Sequence, residues 1–505
     1  MPQDDDCLEI DETGAKGLAL RKSRRLDIHR WSDHPEVNAF VDMIFDTFFA
    51  GWKSDVRKRH VKVLLLDMYV AWCEDPDLKI AYPRGSNAYK AKSIYNELYI
   101  SRLTIDVADR LVDVGLASQE KGFRNRNTGI GFISRIWPTD DLVELFKDAR
   151  FSLFDISFRE DRFPIVLRDM DKNEVEFTPL EHGFIEEIDL LNRYNALLRR
   201  TFIAIPDAET AAIDQHEQDA RHLIASQAEK YVYRVFNRSS FQLGGRYHGP
   251  WWTNCPKHLR DKILINDHIT IEIDYSSLHP TILYAEAGID YWKEIGDDPY
   301  QLPGAALHED PHELRNLAKQ LLLILINAET IEKVAPALRH QAPKGHWTKH
   351  LTNDQVLSAV DALKNLHLPI AKNFHSDVGL RLQNIDSQIS TVILRQFLEW
   401  EEPILMIHDS YIVRQGFEGL LESMMESAFK QVIGQDFAAK KKYAGMLAED
   451  IEQELSYNYN LRYGQRGTEG EEARDLELYR QINPARSQYY KRSLELFRNW
   501  INKPG

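Results

Sequence analysis

Two aspartates in this chain stand where an apolar run stops, and they are the residues best placed to do chemistry. Asp274 closes the alternating run Ile269-Thr270-Ile271-Glu272-Ile273. Tyr275-Ser276-Ser277-Leu278-His279-Pro280 and a helix-like stretch over 278–287 follow. Asp409 sits in Ile404-Leu405-Met406-Ile407-His408-Asp409-Ser410-Tyr411-Ile412-Val413. Two apolar runs flanking His-Asp-Ser read as a hairpin with the carboxylate at its tip. Two strand-end carboxylates can share two Mg²⁺ ions for in-line phosphoryl transfer, one ion activating the attacking hydroxyl and the other steadying the leaving group. On these two segments alone, a pair of solvated turn aspartates would read the same way. Arg315 and Lys319 lie between them, four residues apart and so on one helical face. A bidentate guanidinium beside a point charge suits a triphosphate. A plain exposed basic face is the alternative, with Leu317, Leu321, Leu322, Ile324 and Leu325 packing the rest of the helix.

The elements that must position these residues belong to a chain too long for one small core. Its 505 residues, 43% hydrophobic and 28% charged, suit two to four globular domains. No apolar run approaches the ~20 residues of a membrane span. The acidic start, Met1 to Asp6, carries no apolar signal segment, so export is not expected. Three scattered cysteines make neither a disulfide framework nor a zinc set, which fits a reducing, cytoplasmic setting. The net charge of −15 excludes an evenly basic binder but leaves room for local basic patches, at 21–30 and 57–60.

Residues 1–34 read as a disordered tail. Helical patterns follow over 36–49, 56–72, 87–98 and 103–114, the last stopping at Gly115. A strand, the basic loop Lys121-Gly122-Phe123-Arg124-Asn125-Arg126, a second strand and a helix over 140–146 complete the unit. This order resembles a winged helix-turn-helix domain over 35–150. The resemblance implies a recognition helix near 101–114 and a wing whose Lys121, Arg124 and Arg126 touch DNA backbone. A winged helix used for protein contacts remains the alternative. A connector spans 151–180. Helical patterns over 181–200 and 207–236 read as a helical hairpin around Pro206.

A family resemblance emerges from residue 244 onward. Gly245-Arg246, then Asn254-Cys255-Pro256, then Asp274-Tyr275-Ser276 resembles the approach to the first catalytic motif of family A DNA polymerases. The phage-type single-subunit RNA polymerases belong to the same superfamily. Asp298-Pro299-Tyr300, Arg315-Asn316-Leu317-Ala318-Lys319, Asn384-Ile385-Asp386-Ser387-Gln388 and His408-Asp409-Ser410 are similar to further family motifs, in family order. The matches span residues 244–413, about one third of the chain.

The resemblance implies an α+β right-hand polymerase: an antiparallel palm sheet with helical fingers and thumb, behind the winged helix. The thumb falls at 181–240, the palm at 241–288 and 381–436, the fingers at 289–380, and a helical extension at 437–505. It implies catalytic, metal-binding Asp274 and Asp409, with two Mg²⁺ or alternatively Mn²⁺. Arg315, Lys319, His279, Tyr300, Leu323 and Asn327 would line the nucleotide. Arg246, Asn254, Gln388 and His408 would read the primer-template. Separately, Trp251 and Trp252 are adjacent, so in an extended segment they point opposite ways: one reads as core, and a stacking role is the alternative for the other.

Three departures leave sugar choice open. His279 stands where the family's DNA enzymes carry Glu, Asn327 where they carry an aromatic, and Leu323 where many carry Phe or Tyr. Ser410 after the aspartate is closer to the RNA polymerase form. The expected activity is DNA-templated DNA synthesis from dNTPs without proofreading, since no paired metal-binding strand motif for editing is visible. An RNA-synthesising primase or transcriptase using NTPs is the alternative. A DNA-binding replication initiator with an inactive palm is the rival from another class. A metal-dependent nuclease would not need the basic pair on its helix.

Overall fold

A computed structural model describes residues 22–52, 54–85, 88–124, 131–214, 222–304, 307–343, 345–437, 442–444 and 483–503. They form a mixed α+β structure of several small sheets and many helices.

The N-terminal unit contains helices α1 (Pro35–Phe48), α2 (Asp55–Glu74), α3 (Leu103–Asp113) and α4 (Asp140–Lys147). They pack on strands β1 (Ser23–Arg25), β2 (Lys79–Tyr82), β3 (Ala117–Glu120) and β6 (Ser134–Pro138), in the order β1-β2-β6-β3. A small hairpin, β4 (Phe123–Arg124) with β5 (Gly131–Phe132), projects between β3 and β6. Proline at the first position of α1 sets the helical φ where no amide donor is needed. Gly115 ends α3 as expected, in a left-handed conformation. Its amide and that of Leu116 close back onto Val112 and Leu111, satisfying carbonyls the helix end would orphan. The expected helix over 87–98 is absent: the described residues there form a chain of turns.

The expected tail also differs, because residues 22–34 are built into this unit. β1 pairs in parallel with β2. Arg30 is fully buried, as is Asp67 of α2. Arg24 reaches Asp67 at 2.7 Å and Glu74 at 2.9 Å, and Arg30 reaches Asp67 at 3.3 Å. Arg30 also donates to the Ala228 carbonyl at 2.9 Å and pairs with Glu229. A charge run that reads as solvated is thus spent on interior acids.

Past this unit, strands β7 (Ile165–Arg168) and β8 (Glu174–Val175) are followed by α5 (Ile185–Arg199). The segment expected as the second helix of a hairpin, 207–236, is not helical where it is described. It holds β10 (Ala212–Asp214), β11 (His222–Ile224) and the start of β12 (Tyr233–Asn237). β12 joins β13 (Ser240–His248) in the sheet β13-β12-β7-β8. Of the two helices expected as a hairpin around Pro206, only the first, α5, forms among the described residues. Tertiary pairing overrode the helical pattern: Arg234 is buried in β12, bonded to the Gly245 carbonyl at 2.6 Å and the Ser387 hydroxyl at 2.9 Å. β9 (Ile203–Ala204) pairs with β14 (Leu264–Ile265).

The sheet that matters for the site is antiparallel throughout. Its order is β16-β17-β15-β18, from β15 (Thr270–Asp274), β16 (Leu405–Ile407), β17 (Ser410–Arg414) and β18 (Lys442–Ala444). Helices α6 (Leu278–Glu286), α7 (Pro311–Asn327), α8 (Val334–Gln341) and α9 (Asn353–Leu366) lie between β15 and β16 in the chain. α10 (Gly379–Glu399) and α11 (Glu418–Ile433) pack on each other, α10 also on β13 and α11 on β15 and β17. α7 starts at Asp310, whose carboxylate accepts the His312 amide at 2.8 Å.

The C-terminal region carries β18 and α12 (Gln488–Ile501) among its described residues; the acidic residues Glu469, Glu471 and Glu472 lie outside them. Tyr490 in α12 is buried, while its neighbours Lys491 and Arg492 are exposed. Asp267, just before β15, accepts from Arg486 at 2.7 Å and Tyr490 at 2.8 Å. Burial alone would raise the Asp267 pKa, but these hydrogen bonds hold it below the ordinary 3.8. Its contribution is present above the unfolded value and lost as pH falls through the folded one. Between about pH 5 and about pH 3, the unfolding midpoint of Asp267→Asn should fall less steeply than the parent's. Equal slopes would show that Asp267 holds α12 by shape alone.

Candidate active site

β15 alternates. Ile271 and Ile273 enter the core, while Thr270, Glu272 and Asp274 occupy the other face. Asp274 is its last residue and pairs across the ladder with Ser410. Asp409 occupies the turn between β16 and β17, and its carbonyl accepts the Tyr275 amide at 3.2 Å. The two aspartates, far apart in sequence, are thus neighbours at one end of one sheet, and both are half-buried. Two non-glycine residues beside them, Ser277 (φ 58°) and His408 (φ 60°), hold left-handed backbones. Such conformations persist where the surroundings fix them, often at working sites. Ser410 is buried and donates its hydroxyl to Glu272, which Arg260 pairs at 3.0 Å. The residue after Asp409 is therefore absorbed into the sheet.

On one side of the carboxylates stands α7. Arg315, Lys319, Leu323 and Asn327 recur every four residues and form its outer stripe, with Leu323 48% exposed. Leu317, Leu321, Leu322, Ile324 and Leu325 are buried, as the sequence leads one to expect. Arg315 is held by Asp298 through contacts of 2.5 and 3.2 Å. The Arg315 guanidinium lies 5.1 Å from the centre of the Tyr300 ring and the Lys319 ammonium 5.8 Å. Tyr300 is buried, which pushes its hydroxyl up to about 12; Ser277 hydrogen-bonds it and the Asp409 charge is close enough to add to the rise. The Tyr300 ring therefore lies against the cationic stripe, within electrostatic reach of Asp409. Asn327 is exposed, and its amide donates to the Leu323 carbonyl at 2.7 Å. A Cβ on Gly379, the first residue of α10, would lie 1.8 Å from the Asn327 Oδ1. A side chain there would push the exposed Asn327 amide aside.

On the other side, Arg246 of β13 meets Asp386 of α10 and His279 of α6. Arg246 Nε donates to Asp386 Oδ2 at 2.9 Å, and His279 Nε2 lies 3.1 Å from the same oxygen. His408 and His248 face each other with ring centroids 6.2 Å apart. Burial first, then the Arg246 charge, brings His408 down to about 4; burial and His408 bring His248 down to about 3. Both are therefore neutral imidazoles at neutral pH, and His408 Nδ1 is buried without a hydrogen-bond partner. Gln388 is exposed on α10, with its amide donating to Asn384 at 2.8 Å. Asn254 is exposed at the end of the turn Trp251–Asn254, which packs against β16. Trp251 and Trp252 are both buried, edge to face, so neither is left for stacking.

Sequence reasoning missed Asp298, Ser277, His248 and Asp386. Asp298 and Asp386 lie inside recognised motifs, but nothing in their spacing signals that they hold Arg315 and Arg246.

In the N-terminal unit, Lys121 is exposed beside β4. Arg124 lies on β4, and Arg126 falls outside the described residues. The expected recognition helix, α3, turns Arg102, Asp106 and Asp113 outward, while Asp109 pairs with Arg84 at 2.7 Å. That acid-weighted face is poorly suited to approach a phosphate backbone.

No family model and no curated protein matches the chain. Among solved structures it is similar to the POL domain of Pol1 from M. smegmatis in complex with DNA primer-template and dNTP. The identity is 11% and the TM-score 0.33, over 85% of this chain and 68% of that one. At that TM-score the likeness says nothing of which residues act. No helix among the described residues is long and apolar enough to cross a membrane.

Asp274 and Asp409 offer hard oxygen ligands, the kind Mg²⁺ takes. Among the described residues no third His, Cys, Asp or Glu joins them in a metal-sized cluster. Two carboxylates still fit Mg²⁺, which keeps several waters and takes phosphate oxygens for the rest of its shell.

Proposed function

We propose that the chain is a template-directed nucleotidyltransferase, a DNA-dependent DNA polymerase of family A type that extends a primer 3′-hydroxyl and lacks proofreading. One observation carries this reading. Asp274 and Asp409 adjoin at a sheet end, and the Tyr300 ring lies against the Arg315–Lys319 stripe of α7 with its hydroxyl near enough to Asp409 to feel that charge. A nuclease needs the carboxylates but has no use for a triphosphate clamp beside them.

In this reading Asp274 and Asp409 hold two Mg²⁺, with Mn²⁺ as the substitute. The ions would lower the pKa of the attacking hydroxyl and neutralise charge on the phosphates. Arg315 and Lys319 bind the triphosphate, Arg315 exchanging Asp298 for phosphate oxygens. Tyr300 forms the floor under that pair, and Leu323 meets the base. His279 and Asn327 face the sugar. Arg246, Asn254, Gln388 and His408 read the primer-template, His408 as a neutral hydrogen-bonding group. The palm lies at 241–288 and 381–436, the fingers at 289–380 and a reduced thumb at 181–240. Residues 35–150 form a winged helix that brings the enzyme to DNA through Lys121, Arg124 and Arg126 of the wing.

The second reading, RNA synthesis, is favoured by Ser410. Its hydroxyl is taken by Glu272, so the residue after Asp409 adds no carboxylate to the site. An extension assay with Mg²⁺ separates the two. Primed and unprimed single-stranded templates are offered dNTPs or NTPs in turn. Templated primer extension from dNTPs is the expected result. Unprimed products from NTPs would move the chain to the RNA-synthesising branch. No product from either, with duplex binding intact, would leave a DNA-binding initiator.

A further inference from the structure

We propose that Asp386 is a positioning residue of this site: it fixes Arg246 and dictates which nitrogen of His279 carries the proton, leaving Nδ1 to accept the 2′-hydroxyl of a ribonucleotide. The inference rests on the nucleotide-transfer reading and deepens it: the enzyme would admit ribonucleotides beside deoxyribonucleotides.

Asp386 is 1% exposed in the middle of α10. A carboxylate is an expensive choice there. Aspartate is a poor helix former, and a buried ion pair adds little stability that an apolar residue would not. Yet Asp386 keeps its charge. Burial alone would raise its pKa, but the hydrogen bond from His279 and the charge of Arg246 hold it below the ordinary value. Its Oδ2 accepts from Arg246 Nε at 2.9 Å and also from Arg246 Nη2. The partners come from three elements, β13, α6 and α10, which converge beside the Asp409 turn. Ser390, one helical turn on, ties the backbone together by reaching the carbonyls of Asp386 at 3.0 Å and His408 at 3.4 Å.

The tautomer follows from donor and acceptor chemistry. An ionised carboxylate only accepts. His279 Nε2 lies 3.1 Å from Asp386 Oδ2, so Nε2 must carry the hydrogen. Arg246 Nη2 is 3.3 Å from Nε2. Both groups then donate to one oxygen rather than to each other. In a neutral ring with hydrogen on Nε2, Nδ1 is an acceptor. Nδ1 has no hydrogen bond among the described residues, and the His279 side chain is 15% exposed. An acceptor at the sugar takes a hydrogen bond from a 2′-hydroxyl and gains nothing from a 2′-deoxy position.

The test uses the full chain. Imidazole nitrogen–proton correlation spectra of the parent and of Asp386→Asn, with His279→Gln to identify the signal, report the tautomer directly. Steady-state extension with each nucleotide type reports the sugar. The parent should show His279 in the Nε2–H form. Asp386→Asn should mix the tautomers and raise KM for NTPs. The rise should exceed that for dNTPs about fivefold, the worth of one neutral hydrogen bond, because a loosened Arg246 weighs on both nucleotide types alike. If Asp386→Asn does not fold, Asp386→Glu keeps the charge but displaces the oxygen, and must perturb the same signal. An Nδ1–H form in the parent, or an unchanged spectrum in a folded variant, overturns the positioning role. Equal KM changes for both nucleotide types overturn the 2′-hydroxyl contact. A parent that incorporates neither nucleotide overturns the transfer reading and the sugar contact together, while the spectrum still decides the role of Asp386.

Discussion

Asp409→Asn should abolish primer extension, by about 10³-fold or more, while the unfolding midpoint stays within a few degrees of the parent's. The size follows from what the carboxylate does. Metal-held phosphate chemistry draws several kcal/mol of transition-state stabilisation from its ligands, and about 4 kcal/mol is a factor of 10³. The stability expectation follows from geometry. The contact that Asp409 makes with β15 comes from its backbone carbonyl, which accepts the Tyr275 amide. Asparagine keeps that bond and nearly the same shape. Asp274→Asn should behave alike, and the double variant should be little worse than either single one, because both serve the same ions. Extension at parental rates by folded Asp409→Asn would end the two-metal reading. A large loss of stability would instead make Asp409 a structural turn residue.

Asp67→Ala should lower unfolding stability by roughly 3–5 kcal/mol, the cost of stranding a buried charge. Here one carboxylate serves two arginines. Asp67 is fully buried and pairs with Arg24 and Arg30. It also accepts the Asp27 amide at 3.1 Å, which pins the segment between β1 and α1. Arg24 would retain Glu74 and Arg30 would retain Glu229, so the expected loss lies within that range rather than above it. Urea unfolding would measure the change. Limited proteolysis should show new cleavage within 22–34, the stretch that sequence composition presents as a loose tail. A variant within about 1 kcal/mol of the parent, the scale of exposed pairs, would show that water reaches these charges.

The central sheet was the most legible part of the chain. Ile271 and Ile273 alternate with Glu272 and Asp274, and β15 follows that alternation. Asp409 reads as the tip of a hairpin and is one. The basic face of α7 follows from four-residue spacing. Legibility failed where charged residues turn inward. Arg30 and Arg234 are buried and Arg24 is half-buried, yet each reads as solvent-facing, because hydropathy alone cannot know that Asp67, Glu229 or Ser387 waits for it. The helix expected over 207–236 failed for the same reason: charged residues spaced like a helical face belong instead to short strands and turns. At the site, sequence motifs flagged Arg246, His279 and Arg315 but not the acids that hold them. Those partners are fixed by contacts across 17 to 140 positions, which no local pattern records.

The wide separation of the two aspartates also bears on how the protein acquires its structure. Asp274 and Asp409 are 135 positions apart, and β15 meets β17 only when the whole intervening chain is gathered in. Closing a flexible loop of that length costs about 4 kcal/mol. Helices α6 to α10 shorten the effective span by folding on local contacts first, on a faster timescale than strand pairing. A refolding chain should therefore regain helical signal before the sheet closes. The pair of acids is then completed last, so compact but inactive species precede the working one.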